Sequence, residues 1–116
     1  MSFRNLRAWQ ESVDLAVLIY MVSDHFPPRE RQGLTALMRR TAISLSSDIA
    51  EGRYARRAAG ELDEQLEVAM QLGFLSRLSA ATLAVKAAMI GKRLDRLKTH
   101  ALSRMDAART SPARQH

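Results

Sequence analysis

A chain of 116 residues with no cysteine is long enough for one domain with a real core, and it excludes disulfides and thiolate metal sites. Hydrophobic residues make up 47% and aromatics only 5%, with five Gly and three Pro, a mix that suits helices packed through Leu, Ala, Val and Met better than a β-sandwich. The net charge of +6 is lopsided: residues 1–67 hold nine Lys/Arg against ten Asp/Glu, and residues 68–116 hold nine against only Asp95 and Asp106.

The first helix is predicted over Asn5 to His25. Leu6, Trp9, Val13, Ala16 and Tyr20 alternate steps of three and four, a packing seam, while Leu15, Ile19, Val22 and Phe26 occupy a second face. With Val17, Leu18 and Met21 added, the second half of this helix is apolar almost all round. A small bundle cannot cover every side of an outer helix, so a second copy of the chain is expected against it. The longest apolar run, Leu15 to Val22, has eight residues against the roughly 20 that span a bilayer. The opening Met-Ser-Phe-Arg-Asn-Leu lacks the apolar core of a signal peptide, and a cytoplasmic protein is expected.

Pro27-Pro28 stops the first helix, and Glu30 favours the start of the second through the helix dipole. The second helix is predicted between Gly33 and Gly52, with Met38, Ala42, Leu45 and Ile49 inward and many small side chains around them. Gly52 is its stop. Residues 52–60 read as a basic connection, Glu61 opens the third helix with Leu62, Leu66 and Ala69 on its stripe, and Gly73 ends or kinks it. The last helix is predicted over Ser79 to Leu102, where Leu83, Ala87, Ile90, Leu94, Leu97 and Ala101 form the cleanest heptad. Residues 1–103 thus form the bundle domain, with Leu6, Trp9, Val13, Tyr20, Met38, Leu45, Ile49, Leu83, Ile90, Leu94 and Leu97 as its core, and 104–116 a flexible basic tail.

Catalysis finds little support. Ser23-Asp24-His25 resembles a triad on paper, but consecutive helical residues point about 100° apart and cannot form one relay. Gly91-Lys92-Arg93 lacks the upstream glycine and the following Ser/Thr of a phosphate loop. Asp48 and Glu51 lie one turn apart without a histidine-bearing partner motif, so ion pairs with Arg39, Arg40, Arg53, Arg56 or Arg57 are expected rather than a metal. No catalytic residue and no cofactor is expected. The candidate site is cationic: Arg53, Arg56 and Arg57 on the connection, and Lys86, Lys92, Arg93, Arg96 and Lys98 on the last helix. Repeated in an oligomer, these would attract RNA or DNA phosphates without reading sequence. Tyr54 is the one aromatic beside them, too few for base stacking. The competing expectation is a protein-interaction scaffold that does not touch nucleic acid.

Several pieces resemble the bacterial four helix bundle protein family, also called 23S rRNA-intervening-sequence proteins: Phe3-Arg-Asn-Leu-Arg-Ala-Trp9, Phe26-Pro27, Gly33-Leu34-Thr35, Arg39-Arg40-Thr41-Ala42-Ile43-Ser44, Ile49-Ala50-Glu51-Gly52 and Leu72-Gly73-Phe74-Leu75-Ser76. Leu37, Ser46 and Asp48 depart from the family's usual Gln, Pro and Asn. Eight residues separate Gly52 from Glu61, shorter than the family pattern by roughly two heptads, close to four helical turns. The resemblance implies a non-enzymatic, antiparallel four-helix bundle, here with a shortened third helix. Through the related accessory variability determinant proteins of diversity-generating retroelements, it also implies a pentamer with a basic surface that engages nucleic acid and a nucleic-acid enzyme.

Overall fold

In a computed structural model, which describes residues 3–53 and 55–110, one 3-10 turn at Phe3–Asn5 precedes α1 (Arg7–Ser23), and a second at Pro28–Glu30 leads into α2 (Leu34–Ala50). Two five-residue links then place α3 (Arg56–Gln71) and α4 (Arg77–Thr110). Each helix packs on its sequence neighbours, and α4 closes the ring onto α1. The chain is all-α, an up-and-down four-helix bundle as expected.

The helix ends follow from local chemistry. Glu30 Oε1 accepts the Leu34 N–H at 3.2 Å, so the carboxylate works one turn before α2, from the 3-10 segment. Among the described residues, Gly52 and Gly73 are the two positions of positive φ, +71° and +81°. In both, the N–H of the residue after the glycine reaches back five residues, Arg53 to Asp48 O at 2.8 Å and Phe74 to Ala69 O at 2.9 Å. That pattern closes α2 and α3 with a left-handed glycine. Ser76 Oγ accepts the Ser79 N–H at 3.0 Å and caps α4. Phe26 and Phe74, one from each long turn, meet at 5.5 Å between ring centres and tie that end of the bundle together.

Three expectations change. The inward face of α1 is Ala8, Ser12, Leu15, Ala16, Ile19 and Ser23, continued by Phe26. Trp9 and Leu6 pack at its flank and Tyr20 is exposed, because the small residues at 8, 12, 16 and 23 let α2 and α4 approach more closely than a Trp/Tyr seam would. α3 starts at Arg56, five residues before Glu61, so its 16 residues match the 17 of α1 and α2. The outlier is α4, whose 34 residues include 104–110, the first part of the expected tail.

At 1.5 Å per residue α1 to α3 are about 25 Å long and α4 about 51 Å. The whole molecule measures 65 × 23 × 19 Å. Burial on α4 ends with Ile90 and Gly91, Leu94 is half-buried, and Leu97, placed in the core by its heptad spacing, is 45% exposed. The Ala101 side chain lies outside the described residues.

Leu45→Ala, at a fully buried site, should cost about 2–5 kcal/mol in urea unfolding followed by circular dichroism. Gly73→Ala should cost about 1–2 kcal/mol, since the left-handed φ strains any Cβ. Exposed Val17→Ala should stay within about 0.5 kcal/mol.

Candidate functional site

The eight cations singled out by sequence divide by their partners. Arg53, held by the α2 stop, pairs with Glu51 and with Asp48 at 4.0 Å. Both carboxylates are therefore satisfied by Arg53, not by the Arg39–Arg40 pair. Arg39 turns the other way: its Nε donates to Ser23 Oγ at 2.8 Å, its Nη2 donates to Tyr20 O at 3.1 Å, and its guanidinium covers the Tyr20 ring. A cation thus closes the C-terminal end of α1, where free carbonyls favour it. The same contacts bury Ser23 as an acceptor for Arg39, so the Ser23-Asp24-His25 run has no relay.

Arg56 and Arg57 open α3, an unfavourable place for positive charge because the helix N-terminus is itself positive. Each brings a carboxylate. Arg57 Nε bonds Glu61 one turn on at 3.2 Å, and Arg56 crosses to Asp95 of α4 at 2.9 Å. Gly91 leaves room beside this pair: a Cβ there would stand 3.0 Å from Arg56 Nη1 and push the guanidinium aside by a few tenths of an ångström. Arg93 is half-buried and reaches Glu11 of α1 at 2.6 Å, an ion pair whose donor is turned off the hydrogen-bond line. Four of the eight thus neutralise carboxylates of their own chain. Two of these pairs cross between helices: Arg56–Asp95 ties α3 to α4 and Arg93–Glu11 ties α4 to α1, at the end where α4 leaves the bundle.

Among the described residues, Lys86, Lys92 and Arg96 are exposed and have no carboxylate partner. The Lys98 side chain and Tyr54 lie outside the described residues. Lys92 and Arg96, one turn apart, share an outward stripe of α4 with Leu78, Val85 and Met89, whereas Lys86 lies on the flank toward α1. From Arg77 to Thr110 the sequence of α4 holds eight Lys/Arg against Asp95 and Asp106, +6, equal to the net charge of the whole chain. The described aromatics are largely committed: Phe3 packs on Trp9, Phe26 on Phe74, and Tyr20 under Arg39. No group of three or more metal-ligating side chains occurs among the described residues, and no helix there is long and apolar enough to cross a membrane.

The 23S rRNA-intervening sequence protein family matches residues 4–96, and the chain belongs to that family. No curated protein matches it. The matched span ends where α4 leaves the bundle, and with it the Asp95 that anchors Arg56.

A double-mutant cycle on Glu11→Ala and Arg93→Ala should give a coupling of about 1 kcal/mol in urea unfolding, larger than the roughly 0.3–0.5 kcal/mol expected of the exposed Arg57–Glu61 pair.

Proposed function

We propose that this protein acts by association, without catalysis: copies assemble, and the cationic α4 of each holds RNA or DNA by its phosphate backbone. One observation carries the reading. The helix that holds the chain's entire excess of positive charge is also the helix that outruns the bundle, by about 14 residues or 20 Å beyond Arg96. This extension includes Lys98, Arg104 and Arg109, and Lys86 stands on the flank that leads to it. A low-dielectric body with a projecting positive rod concentrates field at the rod, and oligomerisation multiplies it. The commitment of the described aromatics to internal packing favours phosphate contacts over base stacking. Because the family description refers to 23S rRNA, RNA is the first polyanion to test.

The test is filter binding of an RNA hairpin and of a duplex DNA between about 50 and 200 mM salt. Affinity should fall steeply as salt rises, with little dependence on sequence. Lys86→Ala/Lys98→Ala should flatten the slope of log K against log salt by about two on duplex DNA, one for each lost phosphate contact. Binding indifferent to salt, or unchanged in the double variant, overturns the reading and favours a protein-interaction scaffold.

A further inference from the structure

Two exposed stripes of the bundle are complementary to each other but do not meet within one chain. On α3 and the cap residue that follows it the stripe runs Glu61, Glu64, Val68, Leu72, with steps of three, four and four. On α4 it runs Val85, Met89, Lys92, Arg96, with steps of four, three and four. All eight side chains are exposed, the four apolar ones between 47% and 57%. The α3 stripe is acidic then apolar, and the α4 stripe apolar then basic. Within the chain, α3 faces α4 through other positions, Ala59, Leu62 and Leu66 against Ala80, Leu83 and Ala87.

We propose that α3 of one copy docks antiparallel on α4 of a second copy along these stripes. Val85 then meets Leu72, Met89 meets Val68, Lys92 meets Glu64 and Arg96 meets Glu61. The four pairs hold one antiparallel register to within a single residue, and each sets apolar against apolar or cation against carboxylate. This rests on the oligomeric reading above and names the faces that build the oligomer. The occupant is a second copy because charge complementarity selects it. Among the described residues Lys92 and Arg96 have no carboxylate partner and Glu64 has no cation, and Glu61 can share its charge between Arg57 and an incoming Arg96. Competing contacts are penalised. Two α4 stripes would oppose cations when parallel and set Arg96 on Val85 and Lys92 on Met89 when antiparallel; two α3 stripes fail in the same two ways with their carboxylates, and a parallel docking of α3 on α4 would put Val85 on Glu61. Each copy offers one face of each kind, so the contact is head-to-tail and all copies point the same way along the helix axis. Lys92 and Arg96 then belong to the seam, and phosphate binding is left to Lys86 and the projecting part of α4.

The absence of cysteine allows a direct test. Val68→Cys and Met89→Cys chains, prepared separately and mixed under mild oxidation, should give a disulfide-linked pair on a non-reducing gel, and each variant alone should give far less. A mixture no better linked than the single variants overturns the seam. In light scattering, Glu61→Lys/Glu64→Lys and Lys92→Glu/Arg96→Glu should each weaken association about tenfold or more, and all four changes in one chain should restore it. Helix content by circular dichroism separates lost docking from lost folding. An oligomeric wild type whose mass ignores these reversals sinks the seam alone, and a wild type that stays a single chain at every concentration sinks the oligomeric reading with it.

Discussion

Helices can bury a common core only over the length they share. Here three helices of 16 or 17 residues share that length with only the first part, about 20 residues, of a 34-residue partner. The inward row of α4 is fully covered from Ala80 to Gly91 and half covered at Leu94, and among the described side chains beyond it, Leu97 included, all are exposed. The mismatch decides where the chain can be apolar and where charge can collect. It also explains why Leu97 continues the α4 heptad and yet meets water.

Where α4 leaves the others, the bundle end would be weak if apolar contact alone held it. Ion pairs take over there: Arg56 with Asp95, Arg93 with Glu11, Arg53 with Glu51 and Asp48. Most are half exposed, so each adds a small stabilisation and a well-defined direction. Their larger effect is to remove cations from the pool that a ligand could use. A cluster of arginines that reads as one basic surface in the sequence is, in the folded chain, mostly a set of internal fasteners.

The all-α class, the order of the helices and the glycine stops at 52 and 73 were legible because each rests on local chemistry. The face of α1 was not. With apolar residues almost all round, periodicity supplies two acceptable seams, and the choice falls to backbone approach at Ala8, Ser12, Ala16 and Ser23. The start of α3 was hidden for a different reason. It opens without a capping side chain and with two arginines against the dipole, and the carboxylates that compensate lie one turn on, at Glu61, and on another helix, at Asp95. Residues 104–110 lack periodicity but are rich in Ala, Arg and Met, good helix formers, so propensity extends α4 where packing no longer does. The candidate site was legible as a set of cations. Their division into bound and unbound was not, because it depends on which carboxylates the topology brings near.

That division also bears on how a small, alanine-rich bundle can have one assembled state. Many core positions on α3 and α4 are alanine, which brings the helices close but buries little apolar surface per residue. Such a domain gains from burying more surface between copies, yet an unmarked apolar face would accept many partners in many registers. In the proposed seam, the acids of one apolar stripe and the cations of the other would resolve the conflict. There the apolar residues would supply the tendency to dock, and the acids of α3 with the cations of α4 would select which helix, which direction and which register. The same segregation keeps the projecting end of α4 positive once docking is complete, since the seam would consume only Lys92 and Arg96 of its cations.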